Sequence, residues 1–252
     1  MVNLGQAWVD IYSSANKEVE FSISGGGSGT GISALINKTT NICQSSREMK
    51  DKEITDAKKA GIQPIETIVA QDGLSVIVNP SNKISKLTID QLSEIFTGKI
   101  TNWKELGGND TKIVVLSRDK SSGTHDFFLE QVLRKGNAKG PEEYAPSVLL
   151  LQSSTTISNE VSTNEASIGY VGMGYVKAGK EKTIAVAKDA SSPYIEPTIE
   201  NVLNKTYPIA RPLYFYTDGN PKGDVQKFIN FVLSDAGQSV VEKLDFVPLK
   251  KD

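Results

Sequence analysis

The sequence predicts an α/β protein built in two lobes, and three observations carry that prediction. Strand-like runs alternate with helix-like apolar patterns along the chain. A Gly/Ser-rich loop stands directly between a predicted strand and a predicted helix twice, at residues 25–31 and again at residues 121–124. The turn cluster Asn79-Pro80-Ser81-Asn82 separates the two such units.

Each element has a local reason. Leu4, Trp8, Ile11 and Tyr12 fall at helical spacing and predict a helix over residues 4–13. Val19-Glu20-Phe21-Ser22-Ile23 alternates as a half-buried strand does, and the glycines after it break the run. A helix opens from that loop over residues 32–36, and residues 40–45 read as a strand. Residues 50–60, with Asp51-Lys52-Glu53, Asp56 and Lys58-Lys59, form a helix with a solvated face. Residues 65–70 and 74–78 are two strands, the second strongly β-branched. Thr88 is the N-cap of a helix ending near Phe96. Further strands are expected at residues 113–116, 167–171 and 208–216. Helices are expected from His125 to about Leu133, and over residues 224–233 and 236–244.

Composition narrows the function. With 28 basic and 30 acidic residues the net charge is -2, which argues against a nucleic-acid binder. It also means that an anion site would have to be local, because the whole molecule does not attract anions. The single cysteine, Cys43, leaves no internal disulfide and no Cys-rich zinc site, and is expected to be a small buried apolar residue. The single histidine, His125, argues against a His-based metal centre, and no cofactor is expected. No apolar run approaches the ~20 residues that span a bilayer. The start Met1-Val2-Asn3-Leu4-Gly5 has no signal-peptide pattern, so the residues alone fit a cytoplasmic protein or one whose leader is not in this sequence.

The two loops carry the chemistry. A helix N-terminus leaves unpaired N–H groups and a partial positive charge. Glycines let the backbone approach an anion, and Ser28 and Thr30 add hydroxyls around Gly29. The second loop, Ser122-Gly123-Thr124, repeats the logic, and Arg118 before it offers a planar fork to two oxygens of one tetrahedral anion. The first loop is not a Walker A loop, because no Gly-Lys-Ser/Thr follows. Its match to a dinucleotide fingerprint at Gly29-Thr30-Gly31-Ile32-Ser33-Ala34 is weak, since the acidic residues at the expected offset lie in a charged helix. Ser122 and His125 lack an evident orienting carboxylate for nucleophilic catalysis, and His125 reads as a first-turn helix residue.

A set of motifs then resembles one family. Ile23-Ser24-Gly25-Gly26-Gly27-Ser28-Gly29-Thr30-Gly31, Gln44-Ser45-Ser46-Arg47-Glu48-Met49 and Ile95-Phe96-Thr97-Gly98-Lys99-Ile100-Thr101-Asn102-Trp103 come first. Ser117-Arg118-Asp119, Ser122-Gly123-Thr124, Ile168-Gly169-Tyr170-Val171-Gly172 and Phe246-Val247-Pro248-Leu249 follow. Their order and spacing are similar to those of phosphate-binding receptors of ABC-type phosphate uptake systems, over nearly the whole chain.

The resemblance implies a two-lobed, type II periplasmic-binding-protein-like fold with a two-strand hinge and inorganic phosphate bound between the lobes. The first lobe would be residues 1–79 plus 210–252, and the second residues 80–209. It implies Ser28 as hydroxyl and N–H donor, Arg118 as clamp, and Ser122, Gly123 and Thr124 as the second cradle, with Gly29, Thr30, Ser46 and Arg47 also at the ligand. It implies a monomer that performs no chemistry, delivers phosphate to ABC transporter membrane subunits, and acts outside the cytoplasmic membrane, periplasmic or lipid-anchored.

Two departures from the family stand out. The chain begins at about the end of the family's first phosphate loop, without the first strand, and Lys250-Lys251-Asp252 does not restore it; a gap in the first lobe's sheet and weakened binding are expected. Many relatives also carry an aspartate that accepts the phosphate proton, where this chain has Ser46 followed by Arg47. Asp72 is the candidate substitute, against the competing reading of a turn residue in Asp72-Gly73. Two other functions stay open at this point: an enzyme acting on a phosphorylated substrate, and a binding-impaired fragment of a phosphate receptor.

Overall fold

The computed structural model describes residues 1–249, so the expectation placed on Lys250-Lys251-Asp252 lies outside the described residues. The first elements are α1 (Val2–Ala15), α2 (Ser28–Ile36), β1 (Cys43–Ser45), α3 (Asp51–Lys59), β2 (Pro64–Val78), β3 (Lys86–Thr88) and α4 (Ile89–Phe96). After them run β4 (Val114–Arg118), α5 (Gly123–Phe128), β5 (Leu149–Leu151), α6 (Ser154–Thr163), β6 (Ser167–Gly172), β7 (Lys182–Thr183) and β8 (Ala185–Ala187). The chain closes with α7 (Ile199–Leu203), β9 (Ala210–Asp218), α8 (Gly223–Leu233) and α9 (Asp235–Lys243).

Two compact units result. The first holds Met1–Gln71, Ser121–Gly123 and Arg211 onward; the second holds Asp72–Lys120 and Thr124–Ala210. In the first, β1 lies antiparallel on β9, Cys43 opposite Tyr216 and Ser45 opposite Tyr214, and β9 neighbours β2. Ile32 and Leu35 of α2, Cys43, Met49, Ala57 of α3, Ile62, Tyr214 and Tyr216 form one apolar core. The predicted face of α1 is the buried one: Leu4, Trp8 and Tyr12 are turned inward, and Trp8 Nε1 donates to Gly237 O at 2.8 Å.

In the second unit, β2 pairs antiparallel with β6 from Leu74↔Gly172 to Val78↔Ile168. β6 lies parallel to β4, and β4 parallel to β5. A separate parallel pair joins β3 to β8. Ile77, Leu116, Ile157, Val161 and Val171 make the core between this sheet and α6. Thr88 caps α4 as its sequence predicts: Thr88 Oγ1 accepts from Gln91 N at 3.1 Å, and Gln91 Oε1 accepts from Thr88 N at 2.9 Å. Trp103 is buried, its Nε1 donating to Ala166 O at 2.9 Å.

The structure corrects several expected elements. Val19-Glu20-Phe21-Ser22-Ile23 keeps the alternating burial of a strand but belongs to no ladder, and Phe21 packs edge-on against Tyr12. The strand expected at residues 40–45 is reduced to Cys43–Ser45. The two strands expected at residues 65–70 and 74–78 are one, β2, which runs straight through Asp72-Gly73. The helix expected from His125 starts at Gly123 and changes to a π-helical turn over Leu129–Leu133.

Candidate functional site

The first loop ends as the N-terminus of α2. Gly27 is its N-cap at φ 98°, and no side chain caps the helix. Only glycine fits here, because a Cβ on Gly27 would lie 2.6 Å from Ser121 O. Of the first-turn amides, Gly29 N donates to Ser121 O at 3.0 Å and Gly31 N to Gly27 O at 3.1 Å, whereas the N–H groups of Ser28 and Thr30 reach no backbone carbonyl among the described residues. These are the donors that a helix start leaves for an anion.

Ser28 faces inward at 4% exposure and meets a second serine. Ser46 N donates to Ser28 Oγ at 3.0 Å, and the two hydroxyls stand 3.4 Å apart. Gly123 of the second loop presses on the same spot: a Cβ there would lie 2.2 Å from Ser28 Oγ and 2.9 Å from Ser46 Oγ. Ser28, Ser46 and Gly123 therefore form one compact cluster of neutral donors in the first unit. Ser121 stitches the loops together, accepting from Gly29 N through its carbonyl and donating its hydroxyl to Gly26 O at 2.6 Å. Sequence reasoning missed Ser121 and the N-cap role of Gly27, since a bond spanning 95 residues leaves no local signal.

Other predicted residues are placed differently. Thr30 is exposed, and its hydroxyl is committed to Gly26 O at 3.0 Å. Arg47 turns its fork to α3, with Nη1 at 2.8 Å and Nη2 at 2.7 Å from the two oxygens of Glu53, and Nη1 also donates to Glu48 O. Burial alone would raise the Glu53 carboxyl, but hydrogen bonds from Arg47 and from Lys50 N outweigh it and hold the group below its ordinary range. A signal for this existed: Glu53 is the third residue of α3, where a glutamate folds back onto the helix start.

In the second unit, Arg118 ends β4. Its Nη2 donates to Gln152 O at 2.9 Å, Nη1 lies 3.4 Å from Ser154 Oγ, and Asp119 is 3.6 Å away. Its Nε is buried without a hydrogen-bond partner among the described residues. A desolvated guanidinium N–H without an acceptor is costly, and an oxyanion would relieve that cost. Asp72 is 1% exposed inside β2, not in a turn. Its Oδ1 accepts from Met173 N at 3.2 Å, and a Cβ on Gly172 would lie 2.8 Å from Oδ2, so the neighbouring strand must carry glycine there.

Ser122 and Thr124 are buried at 2% and 7% exposure. His125 lies in the first turn of α5 with its ring against Tyr144, centroids 4.6 Å apart, and Nδ1 3.3 Å from Asp126 Oδ1. The carboxylate that the sequence did not reveal is thus its own neighbour. Cys43 is 1% exposed, and burial pushes its thiol up to about 12, with Arg47 opposing and Glu53 adding. Among the described residues no cluster of His, Cys, Asp and Glu could hold a metal ion.

Residues 3–236 match the model of the PBP superfamily domain. The chain is 36% identical over 243 residues to the phosphate-binding protein PstS of Staphylococcus saprophyticus, covering 94% of this chain and 73% of that one. It is 33% identical over 266 residues to the PstS of Pseudomonas aeruginosa, covering 99% and 80%. Among solved structures it is similar to a Clostridium perfringens protein, named as a phosphate ABC transporter substrate-binding protein and carrying bound phosphate. The TM-score is 0.86 at 34% identity, over 99% of this chain and 96% of the other.

Proposed function

The chain belongs to the PBP superfamily and, within it, to the family of phosphate-binding proteins, and from that premise we propose that it binds inorganic phosphate and delivers it, chemically unchanged, to an ABC-type membrane transporter. The observation that carries the reading is the buried Ser28–Ser46–Gly123 cluster at an uncapped helix start, whose Ser28 and Thr30 amides have no backbone acceptor.

In this reading the Ser28 hydroxyl and amide, the amide of Thr30 and the Ser46 hydroxyl are donors to the anion. Ser122 and Gly123 of the second loop add donors beside them. Thr124 and the charge of Arg118 are further candidates for the anion, and the Arg118 Nε would gain an acceptor from it. Asp72 accepts the phosphate proton, which a fully ionised sulfate cannot offer; that difference sets selectivity. Arg47 serves by fixing the Ser45–Met49 turn through Glu53 and not by touching the anion. Charge-assisted hydrogen bonds contribute about 1.5–3 kcal/mol each. Micromolar affinity requires roughly 8 kcal/mol, so this donor set is sufficient after ordering costs.

The same reading makes the protein an extracytoplasmic monomer, periplasmic or lipid-anchored, whose partners are the membrane subunits of its transporter. No described helix is long and apolar enough to cross a membrane. Isothermal titration of the 252-residue chain with phosphate and then sulfate tests the function. Saturable phosphate binding with much weaker sulfate binding is expected; a folded chain that takes up neither refutes it.

A further inference from the structure

A buried chain of hydroxyls runs behind the second loop. Ser117 Oγ lies 2.6 Å from Tyr170 OH, Tyr170 OH lies 2.7 Å from Tyr144 OH, and Tyr144 OH donates to His125 O at 3.1 Å. A hydroxyl carries one proton, and a carbonyl can only accept. Tyr144 OH has the His125 carbonyl as acceptor and Ser117 Oγ has the Arg118 carbonyl at 3.2 Å, so the chain of hydroxyls ends on a backbone carbonyl on both sides. With an acceptor at each end, either hydroxyl can be the donor in the two inner bonds.

The aromatic rings hold the chain in place. Tyr170 stacks on Phe128 at 3.8 Å with 4° between planes, Phe96 packs 5.6 Å from Tyr170, and Tyr144 covers His125. Tyr170 is fully buried, and burial pushes its phenol up to about 12, so it remains a donor at neutral pH. The two ends of the chain are the informative part. Ser117 immediately precedes Arg118 on β4, and His125 immediately follows Thr124 on α5. The relay therefore ties together, through side chains alone, the two backbone points that bracket the second loop.

We propose that Tyr170 and Tyr144 are positioning residues for the anion site, holding Arg118 and Thr124 in register through the linked hydroxyls of Ser117, Tyr170 and Tyr144 and the carbonyl of His125. Neither phenol needs to touch the ligand. A fully satisfied buried network gives a unique arrangement, and losing one link leaves its neighbours unpaired. The effect on affinity rests on the phosphate-binding reading, whereas the effect on loop order does not.

Tyr170→Phe and Tyr144→Phe remove one hydroxyl each and keep the stacked rings, and Ser117→Ala removes the first hydroxyl without touching an aromatic ring. Two quantities are read: amide exchange over residues 118–126 in the ligand-free protein, and the Kd for inorganic phosphate. Each single variant is expected to speed exchange over that segment and to weaken phosphate binding about tenfold, the equivalent of one hydrogen bond. The Tyr144→Phe/Tyr170→Phe double variant is expected to be no worse than either single one, because one broken link already uncouples the ends. Wild-type exchange in the single variants, or effects that simply add, overturns the relay. A wild-type chain that does not bind phosphate would refute the functional reading and leave the exchange result to decide the relay alone.

Discussion

Replacing Gly123 by alanine tests the site at its tightest point. The added Cβ would sit 2.2 Å from Ser28 Oγ, 2.8 Å from Ser28 Cβ and 2.9 Å from Ser46 Oγ. All three distances are below any ordinary carbon contact. Ser28 Oγ is not free to swing away, because it accepts from Ser46 N at 3.0 Å and is nearly sealed from solvent. Overpacking of this kind costs typically about 1–3 kcal/mol. If the strain falls on the bound state, phosphate binding weakens by roughly 5- to 150-fold, at about 1.4 kcal/mol per factor of ten. If the free protein relaxes by opening the cluster, part of the cost shows as lost thermal stability instead. Calorimetric titration and a melting curve on the same sample capture both shares. Gly25→Ala is the control in the first loop, since its Cβ would meet only Val2 Cγ2 at 3.8 Å. Wild-type affinity together with wild-type melting in Gly123→Ala would show that the second loop does not press on Ser28, and the cluster would lose its basis.

The other predictions concern charge. Arg118→Ala should weaken phosphate binding more than Ser28→Ala, because it removes the cation and leaves the ligand's charge unpaired; equal small losses in titration would count against the clamp. Asp72→Asn should narrow the gap between phosphate and sulfate affinities, and unchanged discrimination would remove Asp72 from the site. Glu53 is held below its ordinary range, so its contribution to stability is complete above its unfolded value and disappears as pH falls through its folded value. Acid melting curves should therefore show Glu53→Gln losing stability at neutral pH but converging on the wild type in acid; parallel curves would refute the Arg47–Glu53 linkage.

What the sequence revealed is what local chemistry dictates. Thr88 and Gln91 cap α4 through bonds three residues apart, and the buried face of α1 follows from Leu4, Trp8 and Tyr12 alone. The two glycine loops were visible for the same reason. The failures lie where a distant partner decides. Residues 19–23 have the side-chain alternation of a strand, yet a strand also needs a neighbour for its backbone, which alternation does not encode. Asp72-Gly73 looks like an interruption, but Met173 N, 101 residues away, satisfies Asp72, and the packing of Met173 and Val202 on Gly73 leaves a side chain no room. Arg47 and Arg118 look equally able to grip an anion; Glu53 occupies both Nη atoms of the first, while the fork of the second lies against the Gln152 carbonyl, the Ser154 hydroxyl and, at 3.6 Å, Asp119.

That contrast between the arginines bears on how the site obtains affinity. The chain as a whole is slightly anionic, at -2, so its overall field does not draw an anion in. The cluster around Ser28 is made of hydroxyls and amides, which solvate an oxyanion without adding net charge. Arg118, the proposed clamp, has Asp119 at 3.6 Å to balance part of its charge. A site built in this way gains little from long-range attraction and much from fixed donors that replace the water around the ligand. Its affinity should reside in slow release rather than fast capture. Slow release would in turn depend on the loops keeping their shape, and the glycines at positions 27 and 123 pack so closely against Ser121 and Ser28 that no larger residue fits.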